Sequence, residues 1–179
     1  MKALQLPAIE TERLTLRKLE ASDWEVVSYL RTDEEVNKYV DRPSAPTREK
    51  ALAFIAKITA DYDKGEAYYW AIAKKGAPEM IGSICLWNIS DDYSYAEVGY
   101  DLHPAHQGKG IMSEALQAVI DYGFNHLKIT TIEAYTHRHN RSSTGMLTKN
   151  GFRLVPGKVD EDNANNAIYK LINPAAADM

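Results

Sequence analysis

The chain has 179 residues, of which 45% are hydrophobic and 26% charged, as in one globular domain with a full core. A formal net charge of −4 gives no global attraction to nucleic acid, and a single cysteine, Cys85, excludes internal disulfides and a cysteine-based zinc site. No uncharged run approaches the ~20 residues of a membrane helix, and the N-terminal segment with Pro7 and Glu10 lacks the pattern of a secretory signal.

The first third of the chain predicts a strand followed by two helices. Residues 12–19 alternate apolar and polar side chains, which indicates a strand with one buried face. Ser22 and Glu25 have the spacing of a capping box at the start of a helix. Thr47 can cap a second helix, whose apolar positions follow the helical period at Ala51, Phe54, Ile55 and Ile58.

The remaining segments predict a strand meander and then alternating helices and strands. Turn residues separate three strand candidates, at 67–74, 80–89 and 93–102. A helix at 110–125 follows, and then a strand, a short helix ended by Gly151 and two further strands, at 129–136, 142–150, 152–155 and 167–172. We expect a mixed sheet with helices packed on it, forming one domain over residues 1–179 with a core at about 10–172 and a flexible tail at 174–179.

The loop before the third predicted helix carries the strongest sign of a binding site. Gly108 and Gly110 flank Lys109 directly before the helix, and glycine lets the backbone come close to a bound group. The first N–H groups of a helix have no intrahelical acceptor, and its N-terminus carries partial positive charge, so this geometry suits a phosphate. Lys109 and His106 could add positive charge. The alternative is a tight strand-to-helix turn without a ligand.

Two common phosphate-binding motifs do not fit this loop. A Walker A motif needs a hydroxyl residue directly after Gly-Lys, whereas Gly110 follows Lys109. The dinucleotide fingerprint needs a third glycine where Ser113 stands, and the strand before the loop belongs to a meander rather than to a βαβ unit.

The residues Gln107–Met112, Gln-Gly-Lys-Gly-Ile-Met, resemble the Gln/Arg-x-x-Gly-x-Gly/Ala motif of the GNAT superfamily of acyl-CoA-dependent N-acyltransferases. Met112 departs from the small residue usual at the last position. Other segments are similar to the ribosomal-protein N-acetyltransferase branch of that family, the RimJ/RimL type: Thr11–Arg17, Glu97–Tyr100, Asn140–Ser143 and Lys149–Phe152. The resemblance covers about residues 10–172 and implies the α/β (α+β) acyl-CoA N-acyltransferase fold, with a twisted, mostly antiparallel seven-stranded sheet and about four helices.

The resemblance also implies a site for acetyl-CoA as cosubstrate, with no metal. The pyrophosphate would lie on the loop and first helical turn formed by Gln107, Gly108, Lys109, Gly110, Ile111 and Met112. The pantetheine arm would lie between two splayed parallel strands that end at Leu102 and near Thr136, with hydrogen bonds from the backbone of Leu102. Asn140 would contact the cofactor, cap the last predicted helix, or do both.

Three residues are candidates for proton transfer. The resemblance suggests Ser143 as a donor close to the cofactor sulfur, where its hydroxyl would protonate the departing thiolate; helix capping is the alternative. Glu97 is a candidate general base, with a solvated carboxylate on a sheet face as the alternative. Tyr100 is an alternative acid near the cofactor strand, although most strand tyrosines only pack.

Three other residue types have less specific interpretations. The histidines at 103, 106, 137 and 139 lack the cysteine or glutamate partners of a metal motif, so a catalytic metal is not expected. Trp70 and Trp87 are predicted to lie in the core or at its rim, with an acceptor pocket as the alternative. Cys85 is expected to be a buried, inert thiol.

The resemblance, together with these residues, implies an N-acetyltransferase that moves an acetyl group from acetyl-CoA to a primary amine by direct attack in a ternary complex. An α-amine, with a pKa of ~7.7–8.0, is partly neutral at pH 7, whereas a lysine amine, at ~10.4, is not, so a peptide N-terminus is favoured. The alternatives are a small amine such as a polyamine, amino acid or antibiotic, a non-catalytic CoA sensor, and an oligomeric interaction module. We expect a cytoplasmic protein with no nucleic-acid or membrane partner. The sequence leaves open whether the chain forms a homodimer.

Overall fold

Eight strands form one mixed sheet in the computed structural model, which describes residues 6–177. The strands are β1 (Ile9–Glu10), β2 (Leu14–Lys18), β3 (Tyr68–Lys74), β4 (Ala77–Trp87), β5 (Tyr95–Leu102), β6 (Thr131–His137), β7 (Arg153–Leu154) and β8 (Asn166–Ile172). The helices are α1 (Trp24–Thr32), α2 (Arg48–Asp63), α3 (Ile111–Asn125), α4 (Arg141–Lys149) and α5 (Pro174–Ala177). The order in the sheet is β1-β2-β3-β4-β5-β6-β8-β7. The eighth strand, beyond the seven predicted, is the two-residue β1, which is too short to show a periodic pattern.

The two faces of the sheet carry different helices. On β3, Trp70 and Ile72 belong to the core cluster that includes the buried face of α3. Ala71 lies between them on the strand and packs instead with Val27 of α1 and Ile55 of α2. Because side chains alternate along a strand, each residue of the central strands can be assigned to the α3 face or to the α1–α2 face.

The start of α1 differs from the prediction. The capping box assigned to Ser22 and Glu25 is wrong, because the box that forms has Glu20 as its N-cap and Asp23 as its third helical residue. The Asp23 carboxylate accepts the backbone N–H of Glu20 at 2.8 Å and binds both terminal nitrogens of Arg17 at 2.8 Å. This buried ion pair holds the chain in a short 3-10 turn before the helix.

Two other local predictions are confirmed. The Thr47 side chain accepts the N–H of Lys50 at 3.2 Å and caps α2. Gly151 follows α4 with φ of +90°, the left-handed conformation expected after a helix.

The C-terminal segment predicted to be a flexible tail begins with helix α5, and residues 178–179 lie outside the described part of the chain. No helix within residues 6–177 is both long and apolar enough to span a bilayer.

Within the described residues, β5 and β6 are the one parallel pair of strands, and they diverge to leave a cleft. Their register runs from Tyr95 opposite Thr131 to Glu97 opposite Glu133 and stops there. Both strands continue beyond that point, β5 to Leu102 and β6 to His137. The expected splay of two parallel strands is therefore present, and it places a gap in the sheet directly before the loop that leads into α3.

Candidate functional site

Residues 108–113, which we call the cradle, form a loop and helical turn with free backbone donors. Gly108 and Gly110 have φ of +73° and +77°, values that favour glycine, and Gly110 is the N-cap of α3. The N–H groups of Ile111, Met112 and Ser113 find no acceptor within residues 6–177. A Cβ built at Gly108 would meet no heavy atom within 4 Å, so the space before the loop is open. The cradle therefore fits a phosphate group.

The loop before the cradle is held by its own side chains. Gln107 Nε2 donates to the carbonyl oxygen of Leu102 at 3.0 Å, and His103 Nδ1 accepts the N–H of Ala105 at 3.0 Å. The first bond joins the loop to the last residue of β5. The backbone of Leu102 is expected to hydrogen-bond to pantetheine, and its carbonyl oxygen already accepts a bond from Gln107.

His106 does not supply the positive charge expected of it. Its Nδ1 is buried and has no partner within residues 6–177. Burial lowers the pKa of the imidazole, and the nearby charges of Lys74, His103 and Lys109 lower it further. The side chain is therefore mostly neutral at pH 7, whereas the positive end of α3 and exposed Lys109 do attract an anion.

Three hydroxyl groups meet at the cleft between β5 and β6. The hydroxyl oxygens of Tyr100 and Ser143 lie 2.5 Å apart, and Thr136 Oγ1 donates to Ser143 Oγ at 2.9 Å. Burial raises the pKa of Tyr100 to about 12, although the bond to Ser143 acts to lower it. The phenol therefore keeps its proton at neutral pH and can donate it.

The side chain of Asn140 caps α4. Its Oδ1 accepts the backbone N–H of Ser143 at 3.2 Å, which confirms the capping interpretation of Asn140. The hydroxyl of Ser143 points to Tyr100 and Thr136 instead, so the alternative that Ser143 caps the helix is wrong.

Glu97 lies at the base of the cleft, on the α1–α2 face of β5. The residue is only 7% exposed, so the alternative of a solvated carboxylate is wrong. Glu97 Oε1 accepts two hydrogen bonds, one from Asn88 Nδ2 at 2.8 Å and one from the Tyr95 hydroxyl at 3.3 Å. Burial raises the pKa of Glu97, and the charge of Glu133 raises it further, although these two hydrogen bonds act to lower it. A buried carboxylate with a raised pKa suits a general base.

An ion pair that the sequence analysis missed holds the segment between α1 and α2 beside β5. The Arg42 guanidinium lies 3.0 Å from Asp101 Oδ2, and it also donates to the carbonyl oxygen of Leu30 at 2.9 Å. Ser83 Oγ donates to Asp101 Oδ1 at 2.5 Å. No local signal could have revealed this network, because Arg42 and Asp101 are 59 residues apart in the chain.

The two tryptophans of the central strands have different surroundings. Trp70 is fully buried in the core, whereas Trp87 is 48% exposed and lies opposite Glu97 in the β4–β5 register. A Cβ built at Gly99 would lie 3.6 Å from Trp87 Nε1 and 3.3 Å from Cys85 Sγ, so the indole lies beside Gly99. Burial raises the pKa of the Cys85 thiol to about 12, which makes this group a poor nucleophile.

Two of the four histidines considered as metal ligands lie against tyrosine rings. His103 stacks on Tyr29 with centroids 4.8 Å apart, and His137 lies 5.0 Å from the ring of Tyr39. Within residues 6–177, no group of three or more His, Cys, Asp or Glu side chains is arranged to hold a metal ion.

Comparison with known proteins places this geometry among acetyltransferases. The family model of the acetyltransferase (GNAT) domain matches residues 13–153. The uncharacterized N-acetyltransferase p20 of Bacillus licheniformis is 36% identical over 148 residues, which are 83% of each chain. The ribosomal protein uS5-alanine N-acetyltransferase of Escherichia coli (strain K12) is 27% identical over 153 residues, covering 80% of this chain and 77% of that protein.

A solved structure shows the same fold. RimL, a ribosomal L7/L12 α-N-protein acetyltransferase in complex with coenzyme A, matches with a TM-score of 0.81 and 22% identity, over 94% of this chain and 99% of that chain.

Proposed function

This chain belongs to the GNAT acetyltransferase family, and from that premise we propose that it transfers an acetyl group from acetyl-CoA to the primary amine of an acceptor. The observation that carries the proposal is the position of the cleft. The cleft opens just after Glu97 and Glu133. The cradle lies beyond its open end, after β5, and the buried carboxylate of Glu97 lies at its base. RimL, which shares the fold, binds coenzyme A.

The cradle is the proposed site for the pyrophosphate of coenzyme A. Its open space, left-handed glycines and free N–H groups of α3 support this assignment. The pantetheine arm would enter the cleft between β5 and β6, where the backbones of the two strands are no longer paired with each other. When bound, acetyl-CoA supplies the acetyl group as a thioester.

The proposed chemistry needs one proton acceptor and one proton donor. Glu97 accepts the proton that the acceptor nitrogen loses as that nitrogen bonds to the acetyl carbon. Ser143, hydrogen-bonded to Tyr100, donates to the sulfur as the carbon–sulfur bond breaks. The two groups lie toward opposite faces of the sheet, since Glu97 is on the α1–α2 face and Ser143 is in α4 beside the other face.

The acceptor would then approach from the α1–α2 face. The exposed indole of Trp87, opposite Glu97, lies on this face, and so does the Arg42–Asp101 pair. We favour the α-amine of a peptide or of a small molecule over a lysine side chain, because an α-amine is partly neutral at pH 7. The single cysteine suits a reducing compartment, so we place the reaction in the cytoplasm.

Two measurements test the proposal. Calorimetric titration with coenzyme A should show binding, and acetyl-CoA should then release free thiol in the presence of peptides with an open N-terminus. Matched peptides with a blocked N-terminus and one free lysine, together with polyamines, identify the acceptor class. Coenzyme A binding without turnover on any amine would indicate a sensor domain, and no binding at all would leave the cradle as a turn.

A further inference from the structure

The start of β2 is tied to the first turn of α3 by a group of hydrogen bonds. The Glu114 carboxylate accepts the backbone N–H of Arg13 at 2.9 Å and its Nε at 2.7 Å. The hydroxyl of Thr11 donates to the same carboxylate at 2.5 Å. Glu114 lies 101 residues after Arg13, so this contact is a product of the tertiary fold.

The Arg13 guanidinium also contacts the cradle itself. Its NH1 donates to the carbonyl oxygen of Lys109 at 2.9 Å, and a Cβ built at Gly110 would lie 3.4 Å from its NH2. In a trans peptide the carbonyl and the following N–H point in opposite directions. Holding the Lys109 oxygen against Arg13 therefore turns the N–H of Gly110 away from Arg13.

Glu114 creates an electrostatic problem for an anion at the cradle. Burial acts to raise its pKa, but the hydrogen bonds from Thr11 and Arg13 prevail and hold the pKa below its ordinary value. The group is thus ionised at neutral pH, in the first turn of the helix whose free N–H groups form the cradle. A carboxylate at this place competes with a phosphate for the positive helix end.

We propose that Arg13 is a positioning residue for coenzyme A: it neutralises Glu114 and fixes the Lys109 carbonyl, so that the cradle presents its N–H groups to the pyrophosphate. This inference rests on the proposed function. In the Thr11-Glu-Arg13 segment, the side chains of Thr11 and Arg13 both converge on Glu114.

The test is a double-mutant cycle on coenzyme A affinity, measured by calorimetric titration. Arg13→Met, which leaves Glu114 unpaired beside the cradle, should weaken binding roughly tenfold at low salt. The double variant Arg13→Met/Glu114→Gln should recover most of that loss, because the repelling charge has gone. The difference between Arg13→Met and wild type should shrink at high salt, since screening weakens the repulsion. A merely structural role would give neither the recovery nor the salt dependence.

Two further variants keep the test decisive. Glu114→Gln preserves the shape of the side chain and should bind coenzyme A at least as tightly as wild type. Lys57→Met removes a cation from an exposed i,i+4 pair with Asp61 and should leave binding unchanged. Weaker binding by Glu114→Gln, or equal affinity of Arg13→Met and the double variant, would overturn the inference while wild-type binding still supported the proposed function. A wild-type chain that bound no coenzyme A would overturn the proposed function itself.

Discussion

The phenolic oxygen of Tyr100 and the hydroxyl oxygen of Ser143 lie 2.5 Å apart across the gap that opens where β5 and β6 stop pairing. Tyr100 belongs to β5, whereas Ser143 is in the first turn of α4, directly after β6. Burial raises the pKa of Tyr100 to about 12, so a protonated donor is present at this point over the whole physiological range.

Replacing these hydroxyls tests the donor role. Ser143→Ala and Tyr100→Phe should each lower kcat by roughly 10²-fold, with little change in the KM for acetyl-CoA, because a donor matters mainly as charge develops on sulfur. Ser142→Ala is the matched control: it removes an exposed hydroxyl from the same helical turn and should leave kcat unchanged. A normal kcat in both Ser143→Ala and Tyr100→Phe would mean that another group, or water, donates the proton.

The pH dependence of turnover tests Glu97 as the base. Glu97→Gln should depress kcat/KM most at low pH, where the acceptor amine is mostly protonated and a base has most to remove. The loss should shrink as the pH passes the pKa of the amine. Kinetic profiles of wild type and variant, measured on one acceptor, provide the comparison. Parallel profiles at all pH values would exclude Glu97 as the base.

The raised pKa of Glu97 also predicts an effect on stability. The folded chain keeps the proton of Glu97 at pH values where the unfolded chain, with a carboxyl pKa of ~4.3, has lost it. Stability therefore falls as the pH rises through the folded-state pKa. Glu97→Gln should raise the unfolding midpoint at pH 7, and the difference should vanish below the pKa of the unfolded carboxyl. An equal or lower midpoint at pH 7 would contradict this reasoning.

A bulky residue in the cradle should block coenzyme A. Gly110→Val places a branched side chain where the pyrophosphate must approach, so binding by calorimetry should be lost. Gly76 provides a control matched in backbone conformation, because its φ is +77° like that of Gly110 and a Cβ there meets nothing within 4 Å. Gly76→Val carries the same backbone strain in a distant turn and should keep its affinity. Unchanged affinity in a folded Gly110→Val chain would remove the cradle from the site.

The cap of α4 should contribute measurably to stability. Asn140→Ala removes the acceptor for the Ser143 N–H and should lower the free energy of unfolding by about 1 kcal/mol. Asn140→Asp keeps a capping oxygen and should restore most of that loss in denaturant unfolding. If Asn140 also contacts the cofactor, both variants will differ from wild type in coenzyme A affinity; wild-type affinity in both would leave capping as its sole role.

The predictions that succeeded rest on chemistry acting within a few residues. A capping hydroxyl at Thr47 and a left-handed glycine at 151 impose local geometry whatever surrounds them. The periodic patterns recovered the order of the longer elements, and the resemblance to the GNAT family is confirmed by the match over residues 13–153. The wrong capping box at Ser22 and Glu25 shows the limit: Asp23 gains a bidentate partner in Arg17, and a buried ion pair outweighs a surface cap.

The amino-acid sequence by itself determined the element types, the mixed sheet and the glycine loop before α3, because periodicity, caps and turns depend on near neighbours. Only the tertiary structure decided which distant groups meet. Strand register placed Glu97 opposite Glu133 where the cleft begins, and it brought Tyr100 to Ser143 across 43 residues of chain. The packing of β2 on α3 likewise joined Arg13 to Glu114, and burial made His106 neutral. Contacts of this kind depend on the relative placement of whole elements, which no local pattern encodes.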